Sequence, residues 1–190
     1  LCKEPDAPVA RWEPRLEGTG HARFALRCGV ASALIVGAPH TKSETGTLLE
    51  AVDIFETLAA RAIIVDGVHR CANAEHTPCL GTTTVCGLAE AYRSSDAGHN
   101  MESVYQWAHE KLATQYADDW VISLHGMSDS GITVGNGTLD DTTVATPSAR
   151  LVEALHGDAV LGPLGVRSCN RYDGAPGVTT TLCGTTNVQG

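Results

Sequence analysis

With 190 residues, 43% of them hydrophobic and 18% charged, the chain has the size and composition of one globular domain rather than of a disordered or fibrous protein. Its formal charge of −9 argues against nucleic acid or an anionic membrane as partner, because both are held by clustered Lys and Arg; a polyanionic substrate would need a local basic patch. No run of 18 apolar residues occurs and no charged-then-apolar leader stands at Leu1, so no membrane span is expected and a signal peptide is expected to have been removed.

In chain order, residues 1–25 carry Pro5, Pro8 and Pro14 among scattered charges and read as an extended N-terminal arm on a single domain covering 1–190. Val30 to Val36 is an apolar run ending at Gly37-Ala38-Pro39-His40, which suits a buried strand with His40 at its C-terminal end. Leu48, Val52, Phe55 and Ala59 recur at helical spacing, predicting a helix over about Thr47 to Arg61, and Ala62 to Val65 is the next strand. These three make a β-α-β unit with parallel strands. A cysteine-bearing loop follows, then a helix with Asp96 and Asn100 as caps, carrying Val104, Trp107, Ala108 and Leu112. Trp120 to Leu124 is another buried strand, and it too runs into a histidine, His125. Thr146-Pro147 opens a helix through about Leu155, and Val160 to Val166 and Val178 to Leu182 are expected to close the sheet. The fold class is therefore α/β, a mixed and largely parallel sheet flanked by helices.

Seven cysteines with no C-x2-C pair read as disulfides rather than as a zinc ribbon. Local pairs such as Cys71 with Cys79 and Cys169 with Cys183, and Cys2 with Cys28, are candidates, the connectivity being open from sequence; by this count Cys86 is left as a small buried thiol. Asn136-Gly137-Thr138 is a glycosylation sequon, in keeping with a secreted, extracellular glycoprotein.

In open α/β sheets, ligands gather beyond the C-terminal ends of the strands, where both His40 and His125 are expected. Catalytic zinc takes three protein ligands, commonly two His and a carboxylate, and Glu44 follows His40 closely enough to share an ion with it. The segments Ala38-Pro39-His40-Thr-Lys-Ser-Glu44-Thr-Gly46-Thr47, Asp96-Ala-Gly-His99-Asn100 and Leu124-His125-Gly126 resemble the poly-γ-glutamate hydrolase group of zinc proteins, related to carboxypeptidase A and the N-formylglutamate amidohydrolases. The resemblance covers roughly Leu34 to Gly190. It implies a zinc-exopeptidase (phosphorylase/hydrolase-like) fold and zinc bound by His40, Glu44 and His125. In one respect the chain departs from carboxypeptidase A proper, which spaces its first pair as H-x-x-E where His40 and Glu44 are H-x-x-x-E.

The carboxypeptidase group takes its general base from a glutamate on a late strand, whereas no acidic residue follows Asp173 here. The chain continues past Gly190, another residue serves, or catalysis has been lost. His99 is a candidate for orienting substrate or stabilising an oxyanion, beside Asp96, and Arg70 for clamping a substrate carboxylate bidentately. His69, His76, His109 and His156 carry no assigned role, and Gly126-Met127-Ser128-Asp129-Ser130-Gly131 does not fit the serine-hydrolase elbow. The expected activity is zinc-dependent hydrolysis of an amide, peptide or γ-glutamyl, in a small-molecule, peptide or polymer substrate bearing carboxylates. The alternative is a disulfide-stabilised secreted binding or structural module with a vestigial metal site.

Overall fold

The structure, a computed structural model, is described for residues 9–12, 22–128, 130–138 and 146–169. The chain divides between Gly126 and Met127 into two compact units.

In the first unit the strands are β1 (Val9–Trp12), β2 (Arg23–Arg27), β3 (Ser32–Ala38), β4 (Ala60–Val65) and, after a short hairpin β5 (Thr82–Thr83) and β6 (Glu90–Ala91), β7 (Trp120–Ser123). The five long ones form one sheet in the order β1-β2-β4-β3-β7. Its parallel part is the trio β4-β3-β7, while β2 runs antiparallel to β4 and β1 antiparallel to β2. The sheet is thus mixed, with less parallel character than the sequence suggests. β1 and the start of β2 fall in the stretch read as an arm, 1–25. In Arg23-Phe24-Ala25-Leu26-Arg27 the large apolar residues Phe24 and Leu26 stand two apart, a strand period too short to stand out by itself.

Strand β3 lies between β4 and β7 and is buried on both faces, which explains its continuous apolar run. Leu34, Val36 and Ala38 pack with Ala51 and Phe55 of α1 (Thr47–Thr57) on one face; Ile35 packs with Ala62, Ile64 and Tyr105, Ala108 and Leu112 of α2 (Val104–Gln115) on the other. The face α1 buries is Thr47, Ala51 and Phe55, a row of i, i+4 neighbours in which two small residues let the helix sit close to the strands. Leu48 and Val52, expected to be buried, are each 42% exposed. The helix ends at Thr57 rather than near Arg61, because Ala59 adopts a positive φ of 49° and turns the chain into β4 at Ala60.

The cap of α2 is Ser103, whose hydroxyl accepts from Gln106 N–H at 3.0 Å, and not Asp96 or Asn100. Those two belong to the turn before it, a short 3-10 segment at Ala97–His99, where Asn100 Nδ2 donates to Ser94 O at 2.6 Å.

The disulfide among the described residues is Cys71 to Cys86, which corrects the expected pairing of Cys71 with Cys79; Cys79 carries the free thiol. The reason lies in the hairpin. Strands β5 and β6 fold the loop back on itself and bring the more distant cysteine to Cys71. Cys28 and Cys169 are also engaged in disulfides, and their expected partners Cys2 and Cys183 lie outside the described residues.

The second unit contains β8 (Ile132–Val134), α3 (Pro147–Gly157) and β9 (Val166–Ser168), with Val152 and Val166 buried among Ile132, Val134, Ala149 and Leu155. Thr146 caps α3 as its sequence predicts, accepting from Ala149 N–H at 3.2 Å. Val160 to Val166 is not a strand. Pro163 and Gly165, the latter at φ 85°, impose a 3-10 turn at Gly162–Leu164, and the strand that follows pairs in parallel with β8 in a separate two-stranded sheet. Val178 to Leu182 falls outside the described residues. No helix among the described residues is long and apolar enough to cross a membrane.

Candidate metal centre

The C-terminal ends of β3, β4 and β7 share one edge of the sheet, and three residues just beyond them define the site: His40 after β3, Asp66 after β4 and His125 after β7. Backbone bonds lock these ends together, with Asp66 N–H donating to Ala38 O at 3.1 Å and Leu124 N–H to Gly37 O at 2.8 Å. Past His40 the chain makes one tight turn in which Ser43 and Glu44 N–H both donate to His40 O at 2.9 Å. That turn carries Glu44 back under the imidazole, so the H-x-x-x-E spacing suits this loop.

Glu44 Oε1 lies 2.9 Å from His40 Nδ1, and Glu44 Oε2 lies 3.8 Å from His125 Nδ1 and accepts from Gly126 N–H at 2.7 Å. One ligand atom from each of His40, Glu44 and His125 falls within 4.8 Å of the others, a set that could hold a metal ion. Two imidazoles and a carboxylate are the donors borderline ions such as zinc take. The site is closely walled: a Cβ on Gly126 would stand 2.9 Å from Glu44 Cβ, and one on Gly98 would stand 2.9 Å from His40 Cε1.

Asp96 lies on the other side of His40. Its Oδ1 is 2.8 Å from His40 Nε2 and 3.0 Å from His99 Nδ1, and all three residues are buried. They form a second set that could hold an ion. The contacts are accounted for without one, since an ionised Asp96 accepts a hydrogen bond from an N–H of each ring. Burial resists ionisation of Asp96, but the hydrogen bonds to His40 and His99 outweigh it and hold the carboxyl well below its ordinary range. Tyr92 stacks on His99 with ring centres 3.7 Å apart and fixes that ring's plane.

This arrangement tests whether a cation fits. With Nε2–H of His40 committed to Asp96, its Nδ1 faces the Glu44 carboxylate as a bare lone pair unless a second proton or a metal ion lies between them. Burial disfavours the imidazolium, yet Asp96 and Glu44 together raise the pKa of His40. Glu44 is likewise kept ionised: burial works against its charge, and His125, His40 and the Gly126 N–H prevail. Positive charge is therefore favoured where a metal would sit.

Arg70 comes to the same place, donating from Nη2 to Glu44 Oε1 and from Nε to Ser43 Oγ at 3.1 Å, with Ser95 Oγ holding its carbonyl at 2.8 Å. The structure thus brings together every residue singled out for the site: His40, Glu44, His125, His99, Asp96 and Arg70. Asp96 engages two histidines, His40 and His99.

Two participants are not evident from sequence. Asp66 is 5% exposed, and burial, only partly offset by Val68 N–H and by His40, raises its pKa to about 7. Its signal is a carboxylate directly after an apolar strand. Ser123 Oγ lies 3.2 Å from His125 Nε2, and its signal is a hydroxyl two residues before a strand-end histidine. No family model matches the chain, and neither the curated proteins nor the solved structures contain a match to it.

Proposed function

We propose that the chain is a secreted zinc-dependent hydrolase of the zinc-exopeptidase type, cleaving an amide, peptide or γ-glutamyl, in a substrate that bears carboxylates. One observation carries the reading: His40 Nδ1 and His125 Nδ1 converge on the two oxygens of one glutamate while the far nitrogen of His40 is taken by Asp96. Carboxylate to histidine to metal is the arrangement that fixes a ligating ring and raises its basicity. His40, Glu44 and His125 would hold the zinc, and the chemistry it would supply is polarisation of a carbonyl and hydroxide from water near neutral pH.

The chain's own residues divide the remaining work. Asp96 sets the tautomer of His40, and Gly126 N–H and Arg70 orient Glu44. Arg70, which also holds Glu44, is the cation of the site that would receive a substrate carboxylate. Secretion is supported by the Cys71–Cys86 disulfide, which suits an oxidising compartment.

Metal analysis combined with hydrolysis of simple amide and γ-glutamyl substrates tests the reading. Stoichiometric zinc with turnover is expected. Stoichiometric zinc without turnover on any amide would favour the binding module, and protein that takes up no zinc would remove the reading altogether.

A further inference from the structure

We propose that Ser123 is a positioning residue of this centre, holding His125 by the ring nitrogen that faces away from Glu44. The inference rests on the metal-site reading above. Each of the other two ligands is fixed by its surroundings. His40 is buried and held by Asp96; Glu44 is held by Gly126 N–H and Arg70. His125 lies beyond the end of β7 with 28% of its side chain exposed, against 2% for His40 and 10% for Glu44. Ser123 is the last residue of β7, and the two-residue period of an extended chain puts it on the same side as His125. Its Oγ stands 3.2 Å from His125 Nε2. A hydroxyl that accepts Nε2–H commits that nitrogen and leaves Nδ1, 3.8 Å from Glu44 Oε2, as the lone pair for a cation.

A second observation ties Ser123 to the core. In the sheet Ser123 pairs with Gly37 of β3, and a Cβ on Gly37 would run into the hydroxyl of Tyr105. Tyr105 is fully buried, and its hydroxyl makes no hydrogen bond among the described residues. Burial pushes that phenol's pKa upward, and the nearby Ser123 hydroxyl counters it in part. Gly37 keeps the space in which Tyr105 reaches this position. The pairing of Ser123 with Gly37 thus ties the serine to β3 under the ligand that carries most exposure.

The test uses the full chain as Ser123→Ala, Ser123→Thr and His125→Ala, with zinc affinity measured by chelator competition. The visible spectrum of the cobalt-loaded protein and thermal melting of the metal-free protein are recorded alongside. Ser123→Ala is expected to weaken zinc by about 10- to 100-fold and to change the cobalt spectrum, with the melting of the metal-free protein unchanged. Ser123→Thr, which keeps the hydroxyl, should restore both. The proposal is overturned if Ser123→Ala binds zinc like the parent, if threonine fails to rescue, or if the whole effect is matched by a loss of metal-free stability. In those cases a His125→Ala variant that still loses zinc leaves the metal-site reading standing. A His125→Ala variant that binds zinc like the parent overturns that reading and this one with it.

Discussion

Asp96 Oδ1 lies 2.8 Å from Nε2 of His40, and both residues are almost wholly buried, so this contact decides which nitrogen of the imidazole is left for an ion. An ionised carboxylate only accepts, which places the proton on Nε2 and the lone pair on Nδ1. In Asp96→Asn the charge is gone and the amide can offer an N–H to Nε2, pushing the proton to Nδ1, where it blocks the ion. Zinc affinity should fall by about 10- to 100-fold. Chelator competition at one pH measures this, and parent-like affinity in the variant would remove Asp96 from the centre.

Glu44→Gln distinguishes a ligand from a base. Glu44 meets His40, approaches His125, and takes Gly126 N–H and Arg70, so its carboxylate is already committed to the ligand cluster. A neutral amide is the poorer ligand, and the variant should lose zinc affinity together with turnover. A general base would behave otherwise, losing turnover while affinity held. The second pattern would mean that the third ligand lies elsewhere.

Burial of Asp66 makes stability depend on pH in a defined direction. Its folded pKa of about 7 stands above the value of 3.8 for an unperturbed carboxyl, so between those values the folded state binds more protons than the unfolded one. Stability contributed by this group is full below the lower value and is lost as pH rises through about 7. The shift sets a ceiling of about 4 kcal/mol on the effect. Asp66→Asn should abolish this slope and gain on the parent at pH values above about 7. Urea unfolding of both proteins on either side of that window is the measurement, and equal slopes would show that Asp66 does not titrate within it.

The disulfide of the hairpin loop predicts a particular peptide map. Non-reducing digestion should yield a cross-linked pair containing Cys71 and Cys86, and Cys79 should be the cysteine of that loop that reacts with a maleimide. A cross-link from Cys71 to Cys79 would restore the pairing that sequence proximity suggests.

That reversal illustrates what the sequence can and cannot convey. Periodicity places β3, α1, β4 and α2, because their apolar residues face a core on one or both sides, whereas β7, expected as a buried strand, ends the sheet with Trp120 and Val121 exposed. The strand-end positions of His40 and His125 followed directly. Proximity along the chain misled where a hairpin intervenes, as with Cys71 and Cys86, and where Pro163 and Gly165 break an otherwise apolar run. Asp66 and Ser123 were hidden for another reason. Neither belongs to a motif, and the register that joins Ala38 to Val65 and Gly37 to Ser123, which brings them to the site's edge of the sheet, is a tertiary fact. Asp96 suggests a helix cap because Asp before a helix ordinarily is one; of its two histidine partners here, one is 56 residues away.

Gly98 offers the sharpest test of how closely His40 is held. The residue lies in the 3-10 turn between Asp96 and His99, with no positive φ, so its backbone accepts alanine without strain. A Cβ at this position would stand 2.9 Å from His40 Cε1, 3.0 Å from Nε2 and 3.5 Å from Asp96 Oδ1. Something must move. His40 cannot swing away without breaking its contact with Asp96 or Glu44, and the turn cannot retreat without carrying Asp96 and His99 with it. Gly98→Ala should therefore cost about 1–3 kcal/mol of stability, the usual range for added volume in a packed interior, and weaken zinc by at least about tenfold through the displaced ring. Circular dichroism, urea unfolding and chelator competition on the same preparation separate the two effects. An alanine variant that loses stability while binding zinc as the parent does would show that the ring yields without moving Nδ1, and that Asp96 is not needed to hold it there.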